Sequence, residues 1–260
     1  MFRFAANLTM MFTEWPFLDR FEAAAEAGFD AVEFLFPYDF PAASIQARLA
    51  QFGLSQAIFN LPPGNWSAGE RGIAALPGRF EEFRDSVETA LDYAEATGVK
   101  SLHMMAGIAD RQDPEAASQY RKAAAFAAER LAARGLTLLL EPINGRSMPG
   151  YFLNDFGYAE GLIRDLAADN IKLQFDVFHH QILHGDVTES FRRLLPMIGH
   201  VQIAGVPERH EPDRGEIDYG YFLSELEKRG YEGFVGCEYH PAGHTRDGLG
   251  WLARYRGRPE

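Results

Sequence analysis

The chain has 260 residues, 47% of them hydrophobic, with a formal net charge of −12 and one cysteine. That length and apolar content suit one large α/β core better than two small ones. The 25 lysines and arginines are scattered without a basic block, which speaks against DNA, RNA or acidic membranes as partners, since phosphate contacts need clustered positive charge.

Taken in chain order, short strand-like runs alternate with longer helical ones. Residues 3–9 (RFAANLT) read as a strand inside an N-terminus without the basic start, long apolar run and cleavage site of a signal peptide. Residues 16–28 read as a helix, with Pro16 at its start and Gly28 as its stop. Strand 31–36 and helix 41–52 follow, then strand 54–60 and a long loop, 61–78, before helix 79–97. Strand 100–105 leads to helix 114–134, strand 136–141 to helix 154–168, and strand 171–176 to a helix near 187–195. Strand 200–204 leads to helix 219–229, and strand 233–238 to a last helix near 245–255. No run approaches the ~18 apolar residues of a membrane span. The lone Cys237 excludes an intramolecular disulfide, so a reducing, cytoplasmic setting is expected.

Helices between strands force parallel pairing with right-handed crossovers. Eight such units predict a single-domain (β/α)8 TIM barrel over residues 1–260. A doubly wound open sheet is the alternative; it usually has fewer strands, and no GxGxxG turn follows the first one.

Polar residues at the C-terminal ends of barrel strands project into the catalytic mouth. The predicted strands end in Glu141, Asp176 and Glu238, and Gln202 lies near the end of another. If Glu238 points into the barrel, alternation turns Cys237 to the helices as a packing thiol. Three carboxylates at one mouth repel each other and are costly to desolvate. A divalent cation resolves this, and an all-oxygen set of Glu141, Asp176, Gln202 and Glu238 suits Mg²⁺ or Mn²⁺ before Zn²⁺. The bland reading is four separate strand-end polar groups, solvated or salt-bridged.

His179 follows Asp176 by three residues, in what reads as a loop over the mouth, and could donate to a substrate oxygen; His180 faces elsewhere. Arg209 is close enough behind Gln202 to hold a substrate carboxylate in bidentate fashion, unless it pairs with Glu208, Glu211 or Asp213. His103 reads equally as a core histidine or a site residue. Asn7, Glu33 and Asn60 also lie near strand ends, without a specific claim to ligand contact. Phe12, Trp15 and Trp66 lie in mouth-side loops, where packing explains them as well as ligand cover does.

Two glutamates on separate strands beside a cation suit proton transfer next to a carbonyl, through an enediolate. Glu141 and Glu238 would be its acid/base pair. Metal-cluster hydrolysis of phosphodiesters is the competing chemistry; it needs more ions and more histidine ligands.

The segments FAANLTMMFTE (4–14), GFDAVEFLFPY (28–38), ALPGR (75–79), EPINGRSMPGYFLN (141–154), QFDVFHHQILHGD (174–186), HVQIAGVPERHEPDRGEIDY (200–219), GYEGFVGCEY (230–239) and GLGW (248–251) carry a resemblance along nearly the whole chain. The chain resembles the hydroxypyruvate isomerase family, within the xylose-isomerase-like TIM barrels that also include tagatose and psicose epimerases and endonuclease IV. The resemblance implies metal binding at Glu141, Asp176, Gln202 and Glu238, acid/base roles for Glu141 and Glu238, and substrate contact at His179 and Arg209. It implies conversion of hydroxypyruvate to tartronate semialdehyde, in glyoxylate metabolism. FAANLTMMFTE and LHMMAG (102–107) look more like a sister group that isomerises 2-oxo-tetronates, whereas EPINGRSMPGYFLN looks more like hydroxypyruvate isomerase. One departure bears on substrate: a lysine usually follows GCEY, and here His240 does, at a position expected to help hold the carboxylate. A ketose 3-epimerase and a non-catalytic ligand-binding barrel are the rival readings. A small hydroxy-oxo acid is the expected partner, and homo-oligomerisation is compatible with the sequence.

Overall fold

The computed structural model describes residues 2–255. Their nine strands are β1 (Arg3–Asn7), β2 (Ala31–Glu33), β3 (Ser55–Gln56), β4 (Ile58–Asn60), β5 (Ser101–His103), β6 (Thr137–Leu140), β7 (Ile171–Asp176), β8 (Ile198–Ile203) and β9 (Phe234–Cys237). They pair in the order β3-β2-β1-β9-β8-β7-β6-β5-β4, every pair parallel. β3 and β4 are the two halves of the expected strand 54–60, interrupted at Ala57. The first half pairs with β2 and the second with β5, so an eight-membered ring closes through one broken strand. The barrel expectation therefore holds.

Among the described residues, eight α-helices lie between the strands: α1 (Arg20–Glu26), α2 (Ala42–Phe52), α3 (Phe80–Thr97), α4 (Pro114–Ala132), α5 (Phe156–Leu166), α6 (Val177–Leu183), α7 (Val187–Leu194) and α8 (Tyr219–Lys228). Asp113, Asp155 and Asp218 cap α4, α5 and α8 by accepting a backbone N–H of the first turn. The expected helix at 245–255 is instead a 3-10 helix, Thr245–Arg254. The expected strands 31–36 and 100–105 stop early, at Glu33 and His103, because the partners Asn7 and Asn60 end the ladder there.

Side-chain alternation divides the apolar residues. One large buried cluster includes Phe21, Phe34, Leu102, Tyr120, Leu138, Phe175 and Cys237. A small second cluster, Ala5, Ala31 and Ala57, packs with Phe234. By alternation Ala5 and Ala31 share the inward face with Asn7 and Glu33. Small residues low in the barrel leave its width to the polar groups above them.

Candidate active site

The strand order brings Glu141, Asp176, Gln202 and Glu238 to one end of four adjacent strands. Asp176 and Gln202 are register partners, and Gln202 pairs with Gly236, two residues before Glu238. All four are buried. Glu141 follows the last residue of β6, and its Oε2 lies 3.5 Å from His103 Nε2. Its Oε1 is buried without a hydrogen-bond partner. His103 thus touches a site carboxylate; burial pulls its pKa down to about 3, which keeps it neutral.

Asp176 does two jobs with two oxygens. Its Oδ1 accepts from the Phe178 and His179 backbone N–H groups at 2.7 and 3.3 Å, capping α6. Its Oδ2 faces the barrel axis, 3.2 Å from Arg209 Nη2 and 3.6 Å from His179 Nε2. His179 sits on the first turn of α6 rather than in a loop, with Nε2 also 4.0 Å from Glu141 Oε1. Glu141, Asp176 and His179 each offer an atom within 4.8 Å of the others, a grouping able to hold a metal ion. His180 faces away as expected, stacked on Phe175 at 4.9 Å.

Arg209 reaches back into the site. Its Nη2 donates to Glu238 Oε2 at 2.6 Å as well as to Asp176, and its ring-side face covers Phe178 at 4.9 Å. The alternative partners Glu208, Glu211 and Asp213 are not used; Glu211 instead accepts from the Ala242 N–H at 3.1 Å. Arg209 holds a left-handed backbone, φ 60°, fixed by its N–H to Gly205 O at 2.8 Å. A non-glycine residue in that region costs ~1 kcal/mol or more, which the two carboxylate contacts offset. His240 lies on the exposed rim. Burial, Arg209 and His210 pull its pKa below the ordinary value, so it adds no charge there at neutral pH.

Gln202 is held from both sides. Its Oε1 accepts from Gln174 Nε2 at 2.6 Å, and its Nε2 donates to Glu33 Oε1 at 2.8 Å. Glu33 also accepts from Asn7 Nδ2 at 3.1 Å and meets His200 Nε2 at 2.8 Å. Asn7 donates further to Glu238 Oε1 at 3.1 Å. A polar layer of Asn7, Glu33, Gln174 and His200 therefore lies against the site residues. Gly236 makes room for it: a Cβ there would lie 2.3 Å from Glu33 Oε2. The sequence reading places Asn7 and Glu33 at strand ends but not in this network, and singles out neither Gln174 nor His200. The alternation of β7 and β8 carries the signal, since both residues lie two positions before Asp176 and Gln202. Of the mouth aromatics, Phe12 is buried against Phe29 and Trp15, and only Trp66 remains exposed, between Phe36 and Arg71.

The electrostatics follow from burial. Burial pushes Glu141 well above the usual carboxylate range, and Glu238 and Asp176 add to it. Burial also raises Asp176, against the pull of Arg209 and the α6 N–H groups. Glu238 is pushed up to about 8, again mainly by burial, with Arg209 opposing. Three buried carboxylates thus face one guanidinium. Such a set holds protons, or a further cation, in order to stay charge-balanced.

Comparison with known proteins agrees with this fold. A family model described as xylose isomerase-like TIM barrel matches residues 21–255. A protein of Cupriavidus necator named 2-oxo-tetronate isomerase is 53% identical over 98% of this chain and 99% of its own length. One of Escherichia coli named hydroxypyruvate isomerase is 43% identical over 98% of this chain and 100% of its own. A solved structure from Brucella melitensis, described as an AP endonuclease of family 2, is 51% identical with a TM-score of 0.96, over 98% of this chain and 100% of that one. An L-ribulose 3-epimerase structure, 23% identical with a TM-score of 0.76 over 100% of this chain and 88% of that one, shares the fold. With strand-end carboxylates on an interrupted eight-membered ring and relatives matched end to end, the chain belongs to the xylose isomerase-like TIM barrel family.

Proposed function

We propose that this barrel isomerises a small 2-oxo-3-hydroxy acid to its 2-hydroxy-3-oxo partner, with hydroxypyruvate to tartronate semialdehyde as the simplest case. An isomerase-type enzyme is what the relatives' names carry over at this identity. The observation that supports the reaction is the pair of buried glutamates, Glu141 and Glu238, both held above the usual carboxylate range. Glu238, pushed up to about 8, is placed to take and give a proton near neutral pH.

One glutamate removes the proton from the hydroxyl-bearing carbon, the other delivers a proton to the former carbonyl carbon, and the hydroxyl proton passes from the C3 oxygen to the C2 oxygen; the two glutamates, left with exchanged protonation states, reset through solvent. Between the two steps the substrate is an enediolate. Its negative charge faces Arg209 and the Nε2 edge of His179. Arg209 holds the carboxylate through its outer N–H groups, while Nη2 stays on Glu238 and Asp176. His240 sits on the rim as a neutral hydrogen-bonding group. Glu141, Asp176 and Glu238, with Gln202 as neutral member, would hold a divalent cation, Mg²⁺ or Mn²⁺. The fit rests on the unpartnered Glu141 Oε1 and on the excess of buried carboxylates over cations. When bound, such an ion draws charge from two adjacent substrate oxygens.

The test is substitution of each glutamate by its amide. Glu141→Gln and Glu238→Gln are expected to lower kcat by at least ~10³-fold, with unchanged circular dichroism. Near-normal turnover in both would sink the reading. A second reading, a four-carbon 2-oxo-tetronate as substrate, is favoured by the higher identity of the relative bearing that name. Comparing kcat/KM for the two acids and a free ketose, with and without chelator, separates these options from epimerisation. A nuclease reading, raised by the name of the Brucella structure, conflicts with the net charge of −12. A cytoplasmic location forms part of the proposal.

A further inference from the structure

His179 has two ring nitrogens with different surroundings. Nε2 faces Asp176 and Glu141. Nδ1 faces Asn144, a fully buried residue three positions beyond Glu141. The Asn144 side-chain nitrogen, Nδ2, lies 2.6 Å from His179 Nδ1, and the Asn144 backbone N–H points at the same atom from 3.4 Å. The identity of the amide nitrogen is fixed by the other end of the group. Asn144 Oδ1 accepts from the backbone N–H groups of Arg146 and Ser147, at 3.0 and 2.9 Å. Those N–H groups can only donate, so the atom they meet is the oxygen. Two donors therefore converge on His179 Nδ1, which must present its lone pair. A neutral imidazole carries one proton, and it then resides on Nε2.

We infer that Asn144 is a positioning residue which locks His179 in the Nε2–H tautomer, so that His179 donates a hydrogen bond into the site and is not a metal ligand. A ligating imidazole nitrogen needs a bare lone pair, and here that lone pair is turned to Asn144. The Nε2–H instead meets an oxygen that gains charge as the enediolate forms. The catalytic part of this inference rests on the isomerase reading; the tautomer does not.

The experiment uses the full chain, labelled with ¹⁵N-histidine and freed of metal by chelator. His179→Gln identifies the His179 resonances by their loss. The expected spectrum has His179 Nδ1 at the bare-nitrogen position and Nε2 protonated. Asn144→Asp keeps an oxygen for the Arg146 and Ser147 N–H groups but replaces the Nδ2 donor by an acceptor. It should move a proton onto Nδ1 and lower kcat by ~10²-fold with KM within about threefold, with unchanged circular dichroism. Asn144→Ala, which keeps the backbone N–H, should lose less. A wild-type spectrum with the proton on Nδ1, or an Asn144→Asp protein that keeps the wild-type spectrum or full kcat, would overturn the inference. If the wild type turns over none of the candidate acids, the isomerase reading fails, and the spectrum still decides the tautomer.

Discussion

Gln202 is the one neutral member of the four strand-end groups, and it is hydrogen-bonded on both sides. The sequence suggests that it is neutral because a fourth carboxylate would exceed what one divalent ion offsets. The structure adds a nearer reason: its Nε2 donates to Glu33 Oε1 at 2.8 Å. A glutamate at 202 would bring two carboxylate oxygens to that distance without a proton between them. Gln202→Glu is therefore expected to destabilise the protein by about 2 kcal/mol near neutral pH, and by less at lower pH, where the introduced carboxyl can take up a proton. Urea unfolding of variant and wild type at neutral and at lower pH checks it; a difference between the two proteins that does not change with pH would remove Glu33 from the account. Glu33 lies 169 residues away from Gln202 in the chain, so only the barrel register could reveal their pairing. Glu141, Asp176 and Glu238 were legible because each closes an apolar run, and Gln202 because it interrupts one near its end. Their hydrogen-bond partners were not, because those lie one layer deeper on strands far apart in sequence.

At the scale of elements, β7 and α6 share a residue. Asp176 ends the strand and caps the helix with one oxygen, leaving the other for the site. Asparagine caps helices as well as aspartate does, and alanine does not. Asp176→Asn should thus retain the melting temperature within a few degrees while losing most activity. Asp176→Ala should lose both, with stability down by about 1 kcal/mol for the missing cap. If the two variants melt alike, the cap is not what holds α6. The same sharing explains why α6 escaped the sequence reading. A seven-residue helix that begins on the last strand residue shows no gap in which to read a loop and a separate start. The longer helices α3 and α4 were legible within a few residues, because Gly98 stops the first and Asp113 and Pro114 open the second. The break at Ala57 was not, since its run reads as one continuous strand.

At the scale of the molecule, the buried carboxylates tie stability to pH. Glu238 titrates at about 8 in the folded chain against an ordinary 4.5. The folded state therefore binds this proton more tightly than the unfolded one. That stabilisation is complete below the ordinary value and is lost as pH rises through about 8. Glu141 and Asp176 shift in the same direction. The chelated protein should melt at lower temperature as pH is raised from 5 toward 8, and Glu238→Gln should flatten that slope. Added Mg²⁺ or Mn²⁺, which competes with the protons, should raise the melting temperature more at the alkaline end than at about pH 5.5. Calorimetry across that range checks both statements; a slope identical in Glu238→Gln would remove Glu238 as its source.

The broken third strand has a consequence for motion. Every proposed proton-transfer and metal-holding residue stands on β6 to β9 or just beyond them, on the far side of the ring from the break. β3 and β4 join the ring through two and three residues respectively, whereas β7 and β8 are six residues each. The short pairings of β3 and β4 predict that the ring opens there first, beneath the long loop that carries Trp66, without moving the glutamates relative to each other. Amide hydrogens of residues 55–60 should exchange with solvent well before those of 171–176. Equal protection of the two segments would mean that the ring opens only as a whole. Early exchange at 55–60 would make this stretch a hinge in the wall, opposite the side on which the proposed chemistry is mounted.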